Sequence, residues 1–452
     1  MSMRDTAMVF LMAIPLAGAA SSCNGTALNG NETGSPDASA GGTMDYGFPG
    51  CTGLQCQVAN KCGTKDGTAI SGVVNIPAGN LPLPNASVYV PNSVLEPIKS
   101  GASCNRCDAP LSGNPITRTT TDAEGRFRLE GVPSGADVPL VIQLGKWRRQ
   151  VTLPKVTACM DNPVEPELSR LPRNQVEGDL PKIALTTGGA DALECLLRKL
   201  GIADNEFTPE SSTGRVNLYN GEQGTARYDA TLNGGAAFTP APTFWESLDN
   251  LKKYDVVMHS CEGLPFIDNK SVAARQALLD YLNLGGRAFA SHYHYLWIEQ
   301  GPAPMPTVAK WNHVGDIGSV TADIDLGFAG GVALADWLVT VGASTQRGKL
   351  SLTQSRSDVE SVNPMLAQRW IHMPAQKNVQ YMSFNAPLGA EEKDQCGRMV
   401  FTDIHVANGD TSSAMQSFPS GGCRSASFSP QEKALIYMLF DLSNCLAPIP
   451  IG

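Results

Sequence analysis

The fold of the second half of the chain is decided by residues 182–200, which read KIALTTGGADALECLLRKL. Residues 182–187 have the length and apolar composition of a buried strand, and Gly188 and Gly189 end it. Four leucines then recur at helical spacing: Leu193, Leu196, Leu197 and Leu200. A strand followed directly by a helix is the repeating unit of a parallel sheet, so this segment predicts an α/β domain.

The alternation of strands and helices continues beyond this segment. Further strands are predicted at 215–219, 255–259, 287–291, 379–384 and 397–406, and helices at 248–251, 273–284 and 429–442. We expect Ser429 to begin the last helix in a capping box with Glu432. The order of elements predicts that residues 181–452 form a doubly wound, mostly parallel sheet with its helices.

Several polar residues follow the predicted strand ends, which is where ligands bind in such sheets. The candidate ligand-binding residues are His259, Glu262, His292, His294 and Trp297. The candidate metal ligands are His259, His292, His294 and His405, for which zinc is the expected ion. The candidate catalytic residues are Ser291, His292, Asp403 and His405. Extended spacing is expected to place His259 beside Cys261, and His292 beside His294.

Residues 67–160 predict a small β-sandwich, because short apolar runs alternate with turn residues. The runs and turns include ISGVV at 70–74, LPNASVYV at 83–90, TDAEGRFRL at 121–129 and GVPSG at 131–135. In these stretches the sequence resembles the carboxypeptidase regulatory-like, or transthyretin-like, family. The resemblance implies a folding, spacing or adhesion module without chemistry of its own. The insertion between Pro91 and Arg118 departs from the family pattern, and a linker at 161–180 follows the domain.

The α/β domain carries a second family pattern. It consists of YDVV at 254–257 with EG at 262–263, LNLGGRAFA at 282–290 and GRMVFTDIH at 397–405. In these segments the domain resembles the class I glutamine amidotransferase-like, or flavodoxin-like, superfamily. In catalytic members the strand after the Gly-Gly pair ends in a cysteine nucleophile, whereas SHYH at 291–294 stands here. His405 matches the late histidine of the family, but without the thiol this route of glutamine hydrolysis is not expected.

The N-terminus predicts export. Residues 1–22 combine Arg4 with a short apolar stretch, which is typical of a signal peptide. Small residues lead to Cys23, and this resembles the lipobox at which a bacterial cysteine is lipidated. Ala20 stands where Leu is usual, so cleavage near Ala20 without lipidation is the alternative. Residues 23–66 predict a flexible stalk and a Cys-rich junction, in a lipoprotein on the periplasmic or surface side of the cell envelope.

Twelve cysteines in an exported chain predict disulfides. Apart from the lipidated residue, the disulfide candidates are Cys51, Cys56, Cys62, Cys104, Cys107, Cys159, Cys195, Cys261, Cys396, Cys423 and Cys445. This odd number leaves one thiol unpaired. No second CxxC completes a zinc site with Cys104 and Cys107, so a disulfide to Cys159 or to the stalk junction is expected. Cys261 is expected to pair with Cys195 within the α/β domain.

Charge and motifs leave three classes of function open. The net charge of -9 and the small size of the basic cluster at 146–149 argue against nucleic acid as a partner. The first class is a non-catalytic binding or scaffold module for an unknown protein or glycan. The second is a metal-dependent or Ser/His hydrolase that uses the histidines with Asp403 and Glu262. The third is a glycan-binding protein that uses exposed rings among Tyr293, Tyr295, Trp297 and Trp311. His313 and His372 are expected to be structural.

Overall fold

The computed structural model describes residues 46–62, 67–406 and 409–446, so the predicted signal peptide and Cys23 lie outside the described residues. The strands of the N-terminal part are β1 (Ala69–Val73), β2 (Ser87–Pro91), β3 (Pro115–Thr120), β4 (Arg126–Glu130), β5 (Gly135–Leu144), β6 (Trp147–Val156) and β7 (Asp161–Pro163). Those of the C-terminal part are β8 (Ile183–Thr186), β9 (Val216–Asn220), β10 (Thr239–Pro240), β11 (Val256–His259), β12 (Arg287–Ser291), β13 (Ala309–Ile324), β14 (Lys349–Val362), β15 (Ala367–Met373), β16 (Asn378–Ala386) and β17 (Gly397–Thr402). The α-helices are α1 (Leu193–Lys199), α2 (Ala241–Trp245), α3 (Leu248–Leu251), α4 (Val272–Asn283), α5 (Leu296–Glu299), α6 (Ala329–Thr340) and α7 (Pro430–Ser443).

The N-terminal strands form two small sheets. One has the order β4-β1-β7, and the other has the order β3-β2-β5-β6 with antiparallel neighbours throughout. In β4, Phe127 and Leu129 are buried while the residues between them are exposed. This alternation is typical of a strand with one face on a core and the other in water.

The C-terminal strands form a ten-stranded sheet in the order β10-β9-β8-β11-β12-β17-β16-β14-β13-β15. The first six strands in this order run parallel to one another; in β11, for example, Val256 pairs with Ile183 of β8 and with Arg287 of β12. Every residue of β8, β11 and β12 is buried, as expected for central strands of a parallel sheet. Their carboxyl ends therefore lie along the same edge.

The remaining strands close into a small barrel that the sequence did not predict. Strand β13 pairs with β14 and β15, and β16 pairs with the same two strands, so the four form a closed ring. The pair Val359 and Val379 joins β14 to β16. Most of β13 is exposed or half-buried, and its register with β14 shifts four times. Such a strand has no regular apolar alternation, which explains why it escaped prediction.

The predicted fold was a small β-sandwich followed by a doubly wound α/β domain, and the structure shows the coarser part of it, a β-rich fold with several sheets. Helix α7 begins with the predicted capping box, in which Ser429 and Glu432 bond each other's backbone N–H groups. The strand predicted at 397–406 ends earlier, at Thr402. The described residues make up one compact unit, and Trp147 of β6 packs on Phe440 of α7 with 5.9 Å between ring centroids.

Five disulfides cross-link the described chain, and Cys261 is a buried free thiol. The pairs are Cys51–Cys56, Cys62–Cys159, Cys104–Cys396, Cys107–Cys445 and Cys195–Cys423. The prediction of disulfides with one unpaired thiol is confirmed. Such pairing places the protein in an oxidising environment outside the cytoplasm. The described helices are all too short or too polar to cross a bilayer.

Two predicted pairings are wrong. Cys104 and Cys107 bond neither Cys159 nor the stalk junction, because the long loop between β2 and β3 crosses to the C-terminal part of the fold. There they meet Cys396, just before β17, and Cys445, just after α7. Cys261 does not bond Cys195, because it lies beyond β11 while Cys195 lies on α1 and reaches Cys423.

Candidate functional site

Three parallel strands deliver polar residues to one edge of the sheet. Cys261 follows the end of β11, and Asp403 and His405 follow the end of β17. Strand β12 ends at Ser291, and a single 3-10 turn, His292–Tyr295, begins immediately. His292 has φ of 42°, which is uncommon for a residue other than glycine. This sharp turn points the His292 side chain toward the residues that follow β11 and β17.

Cys261, His292 and His405 form one buried cluster, and each is at most 4% exposed. The Sγ of Cys261 lies 3.3 Å from Nδ1 of His292. The ring centroids of His292 and His405 are 5.2 Å apart. One donor atom from each of the three side chains lies within 4.8 Å of the others. The cluster therefore brings together side chains that are distant in sequence.

Carboxylates from the barrel border this cluster. His292 Nε2 lies 3.4 Å from Oδ2 of Asp358, and His313 Nδ1 lies 2.7 Å from Oδ1 of the same residue. The Asp358 backbone N–H donates to Asp403 Oδ2 over 3.0 Å. His313 Nε2 lies 3.2 Å from Glu299, so this histidine bridges two acids. The sequence did not indicate this network, and Asp358 was missed because it lies on the unpredicted strand β14.

Burial sets the protonation of these groups. It raises the pKa of the Cys261 thiol to about 12 and lowers the pKa of His292 to about 2 and that of His405 to about 3. Burial, together with the neighbouring Asp358, also holds the pKa of Asp403 well above its usual value. The thiol and both imidazoles are therefore neutral near pH 7. A thiol that is neutral and buried is not an activated nucleophile.

His259 and His294 lie in a separate aromatic cluster. Their ring centroids are 5.1 Å apart, and the His259 ring stacks on Trp297 at 5.1 Å. His294 Nδ1 accepts from Trp297 Nε1 at 2.9 Å, so Nε2 carries the proton and donates to the Ser260 carbonyl at 2.8 Å. Both nitrogens of His294 are thus engaged. The expected pairing of His292 with His294 is wrong because the chain turns sharply after β12 and is not extended. Cys261 contacts His292, whereas His259 stacks on Trp297, so these two residues also lie in different clusters.

Three other predicted site residues are engaged inside the protein. Ser291 donates its hydroxyl to Asp191 over 2.6 Å, so its proton points away from a histidine. Glu262 forms a buried ion pair with Lys270 at 2.6 Å. Trp297 is 0% exposed, which corrects the expectation that it offers an exposed ring to a glycan. Its indole fills the aromatic cluster instead.

A large open cleft lies at the other end of the β17 strand. Arg398, the second residue of β17, lines this cleft, whereas Asp403 and His405 follow the strand's end. The cleft has a volume of about 790 Å³. Its walls come from the sandwich, from the loop between β2 and β3, and from the barrel and α7; they include Thr119, Gln143, Asn105, Gln368, Ser383 and Tyr437. Because these residues are far apart in sequence, no local motif marked the cleft.

Four arginines line the cleft, against two acidic residues, Glu96 and Asp441. Three of the arginines are engaged: Arg148 with Asp179 at 2.9 Å, Arg398 with Asp441 at 3.0 Å, and Arg106 with the Glu392 carbonyl at 2.6 Å. Arg118 is exposed on the edge strand β3, and its side chain makes no hydrogen bond or ion pair within the described part of the chain. The cleft therefore presents one unpaired guanidinium, that of Arg118.

Comparisons with known proteins identify no family for the chain. No family model matches it, and no curated protein matches it significantly. Among solved structures, a putative ThuA-like protein from Bacteroides uniformis is 12% identical and has a TM-score of 0.25; the match covers 57% of this chain and 90% of that one. A type II cohesin–X-dockerin complex from Acetivibrio cellulolyticus, a C-terminal interface mutant, is 14% identical over 33% of this chain and 81% of that one, with a TM-score of 0.16. A second structure of this kind of complex, an N-terminal interface mutant, is 16% identical; the match covers 38% of this chain and 88% of that one, and the TM-score is 0.16.

Proposed function

We propose that this protein is a lipid-anchored binding module of the cell envelope that does not act as an enzyme and that takes an acidic glycan in the cleft. The five disulfides agree with an exported chain. The lipobox-like sequence before Cys23 supports the anchor. The stalk that follows Cys23 would hold the folded part away from the membrane surface.

The domain assignment is part of this proposal. We propose a transthyretin-like sandwich at 67–160 and a degenerate amidotransferase-like, doubly wound domain at 181–452. The parallel strands β8, β11, β12 and β17 support the second assignment, as does the left-handed residue directly after β12. That residue is His292 in place of a cysteine nucleophile. The neutral, buried thiol of Cys261 favours binding over covalent catalysis.

The observation that carries the proposed ligand is the unpaired Arg118 in a cleft of about 790 Å³. Clefts of this size hold ligands as large as short oligosaccharides. A planar guanidinium binds a carboxylate through two parallel hydrogen bonds, which favours a uronic acid. The hydroxyls of Thr119 and Ser383 and the amide oxygen of Gln368 line the same cleft and offer donors and acceptors for sugar hydroxyls.

The cleft is built to keep its shape. Cys104–Cys396 and Cys107–Cys445 fasten the loop between β2 and β3, which forms one wall, to the start of β17 and the end of α7. Trp370 stacks on Tyr381 with ring centroids 5.1 Å apart, and its Nε1 donates to Ser383 at 2.9 Å. A wall fixed before binding loses little conformational entropy when the ligand arrives.

Calorimetric titration of the full chain, produced in an oxidising host and extracted in detergent, tests the ligand. We expect tetragalacturonate to bind and neutral galactotetraose to bind at least tenfold more weakly. Arg118→Ala should weaken tetragalacturonate binding by about tenfold or more, since hydrogen bonds to charged groups contribute about 1.5–3 kcal/mol.

Arg126→Ala is the matched control, because Arg126 is an exposed arginine of the same sandwich whose ion pair with Glu124, at 3.5 Å, is also exposed. It should leave the affinity unchanged. Equal affinity for the two sugars, or an equal loss in both variants, would show that the ligand is not an acid held by Arg118.

A further inference from the structure

We propose that Cys261, His292 and His405 form a binding site for one Zn²⁺ ion, independent of the cleft. Zinc in proteins is held by thiolate sulfur and imidazole nitrogen. With the usual bond lengths, a sulfur and a nitrogen on one tetrahedral zinc stand roughly 3.5 Å apart. The observed 3.3 Å between Cys261 Sγ and His292 Nδ1 is close to that separation. All three donor atoms lie within 4.8 Å of one another, so small side-chain rotations would bring them to one ion.

The cluster also contains buried polar atoms that nothing satisfies. His405 Nε2, Asp358 Oδ2 and Asp403 Oδ1 are buried and make no hydrogen bond within the described residues. Leaving such atoms buried without a partner is unfavourable, because they have lost their hydrogen bonds to water. A cation bound among them satisfies His405 by direct coordination. Its positive charge also attracts the two carboxyl groups beside it. The unsatisfied atoms therefore favour a cation at this position.

The second nitrogen of His292 is positioned as in known zinc sites. A histidine that ligates zinc commonly donates its other ring N–H to a carboxylate, which fixes the orientation of the ring. His292 Nε2 faces Asp358 Oδ2 at 3.4 Å but does not yet form a hydrogen bond with it, while Nδ1 faces the thiol. Asp358 is itself held by His313 at 2.7 Å. Asp358 is thus assigned as a positioning residue, and the metal lies on the side of Cys261 and His405.

The state of Cys261 is a separate observation. Every other cysteine of the described chain forms a disulfide, and this thiol alone is kept reduced next to two histidines. On binding, the S–H bond breaks, the proton leaves to solvent and a zinc–sulfur bond forms without any change of oxidation state. The hydrogen bond between Cys261 and His292 is replaced by coordination of both to the ion.

Cobalt substitution of the unmutated full chain tests the site directly. The protein is stripped of metal with a chelator and titrated with Co²⁺, then with Zn²⁺. We expect a cobalt–thiolate absorption band in the near ultraviolet that saturates at one ion per chain and disappears when Zn²⁺ is added. The absence of this band would overturn the proposal, and no variant that might misfold is needed for that result.

Variants then assign the ligands. Cys261→Ser should abolish the band, and His405→Gln should weaken Co²⁺ binding at least a hundredfold. Asp358→Asn should keep the band but weaken binding roughly 10- to 100-fold, as expected for a residue that orients a ligand. His372→Gln, a change in a half-buried histidine of β15 remote from the cluster, is the control and should have no effect. If Cys261→Ser binds as tightly as the parent while Asp358→Asn does not bind, the ion sits on the carboxylates and the proposed ligand set is wrong.

Discussion

Removing the disulfide Cys104–Cys396 should destabilise the protein by an amount that the topology allows us to work out. The two cysteines are 292 residues apart, but Cys107–Cys445 remains in the variant and already joins the same two regions. In the parent, the Cys104–Cys396 bond therefore closes its shortest loop through the other disulfide. This loop runs along residues 104–107, across Cys107–Cys445, and back along residues 445–396, roughly 50 residues in all. Loop-closure entropy gives about 4 kcal/mol for a loop of this length.

The matched control is Cys51–Cys56, which closes a loop of only 5 residues. The same relation gives about 2 kcal/mol for its removal. Both double Cys→Ser variants are compared with the parent by urea unfolding followed by tryptophan fluorescence and far-ultraviolet circular dichroism. The free energy of unfolding should fall about 2 kcal/mol further in the Cys104/Cys396 variant. Equal losses in the two variants, or a larger loss in the control, would refute the argument from chain entropy.

Three other results are expected. Trp297→Ala should lower the free energy of unfolding by about 3–5 kcal/mol without changing tetragalacturonate affinity, because the ring is wholly buried; a selective loss of affinity in calorimetry would contradict this. Burial disfavours the charged form of His313, but hydrogen bonds to Asp358 and Glu299 outweigh it and raise its pKa. The stabilisation from His313 should therefore be fully present below about pH 6.5 and be lost as the pH rises through the raised pKa. Urea unfolding across this pH range should show the fall in the free energy of unfolding in the parent and not in His313→Gln. Cys23→Ser should release the protein from the membrane fraction and remove labelling by radioactive palmitate, and retention of the label would place the lipid elsewhere.

The central strands and the last helix could be predicted because their signals are local. Strands β8, β11 and β12 are continuous apolar runs with glycine or polar residues at their ends, and every residue in them is buried. The capping box at Ser429 depends on residues three positions apart. In each case the residues that determine the element lie within it or beside it.

The barrel and the site geometry could not be predicted for the opposite reason. Strand β13 is held by pairing with β14 and β15 and shows little burial of its own. Asp358 reaches His292 only because the barrel closes beside the parallel sheet. The left-handed turn at His292 separates two histidines that extended spacing would place together. Tertiary contacts, which leave no periodic pattern in the sequence, decide all three features.

The cysteine connectivity also imposes an order on how the protein matures. Cys62 finds its partner 97 residues further along the chain, so the N-terminal sheets can be cross-linked before the later segments of the chain have folded. Cys107 must wait for a partner 338 residues away. During that interval Cys104 and Cys107 are open thiols near each other in the chain, and thiol–disulfide exchange with the wrong partner competes with correct pairing. Correct assembly of the cleft wall is therefore a late event of oxidative folding, and its yield should depend on a disulfide isomerase in the same compartment.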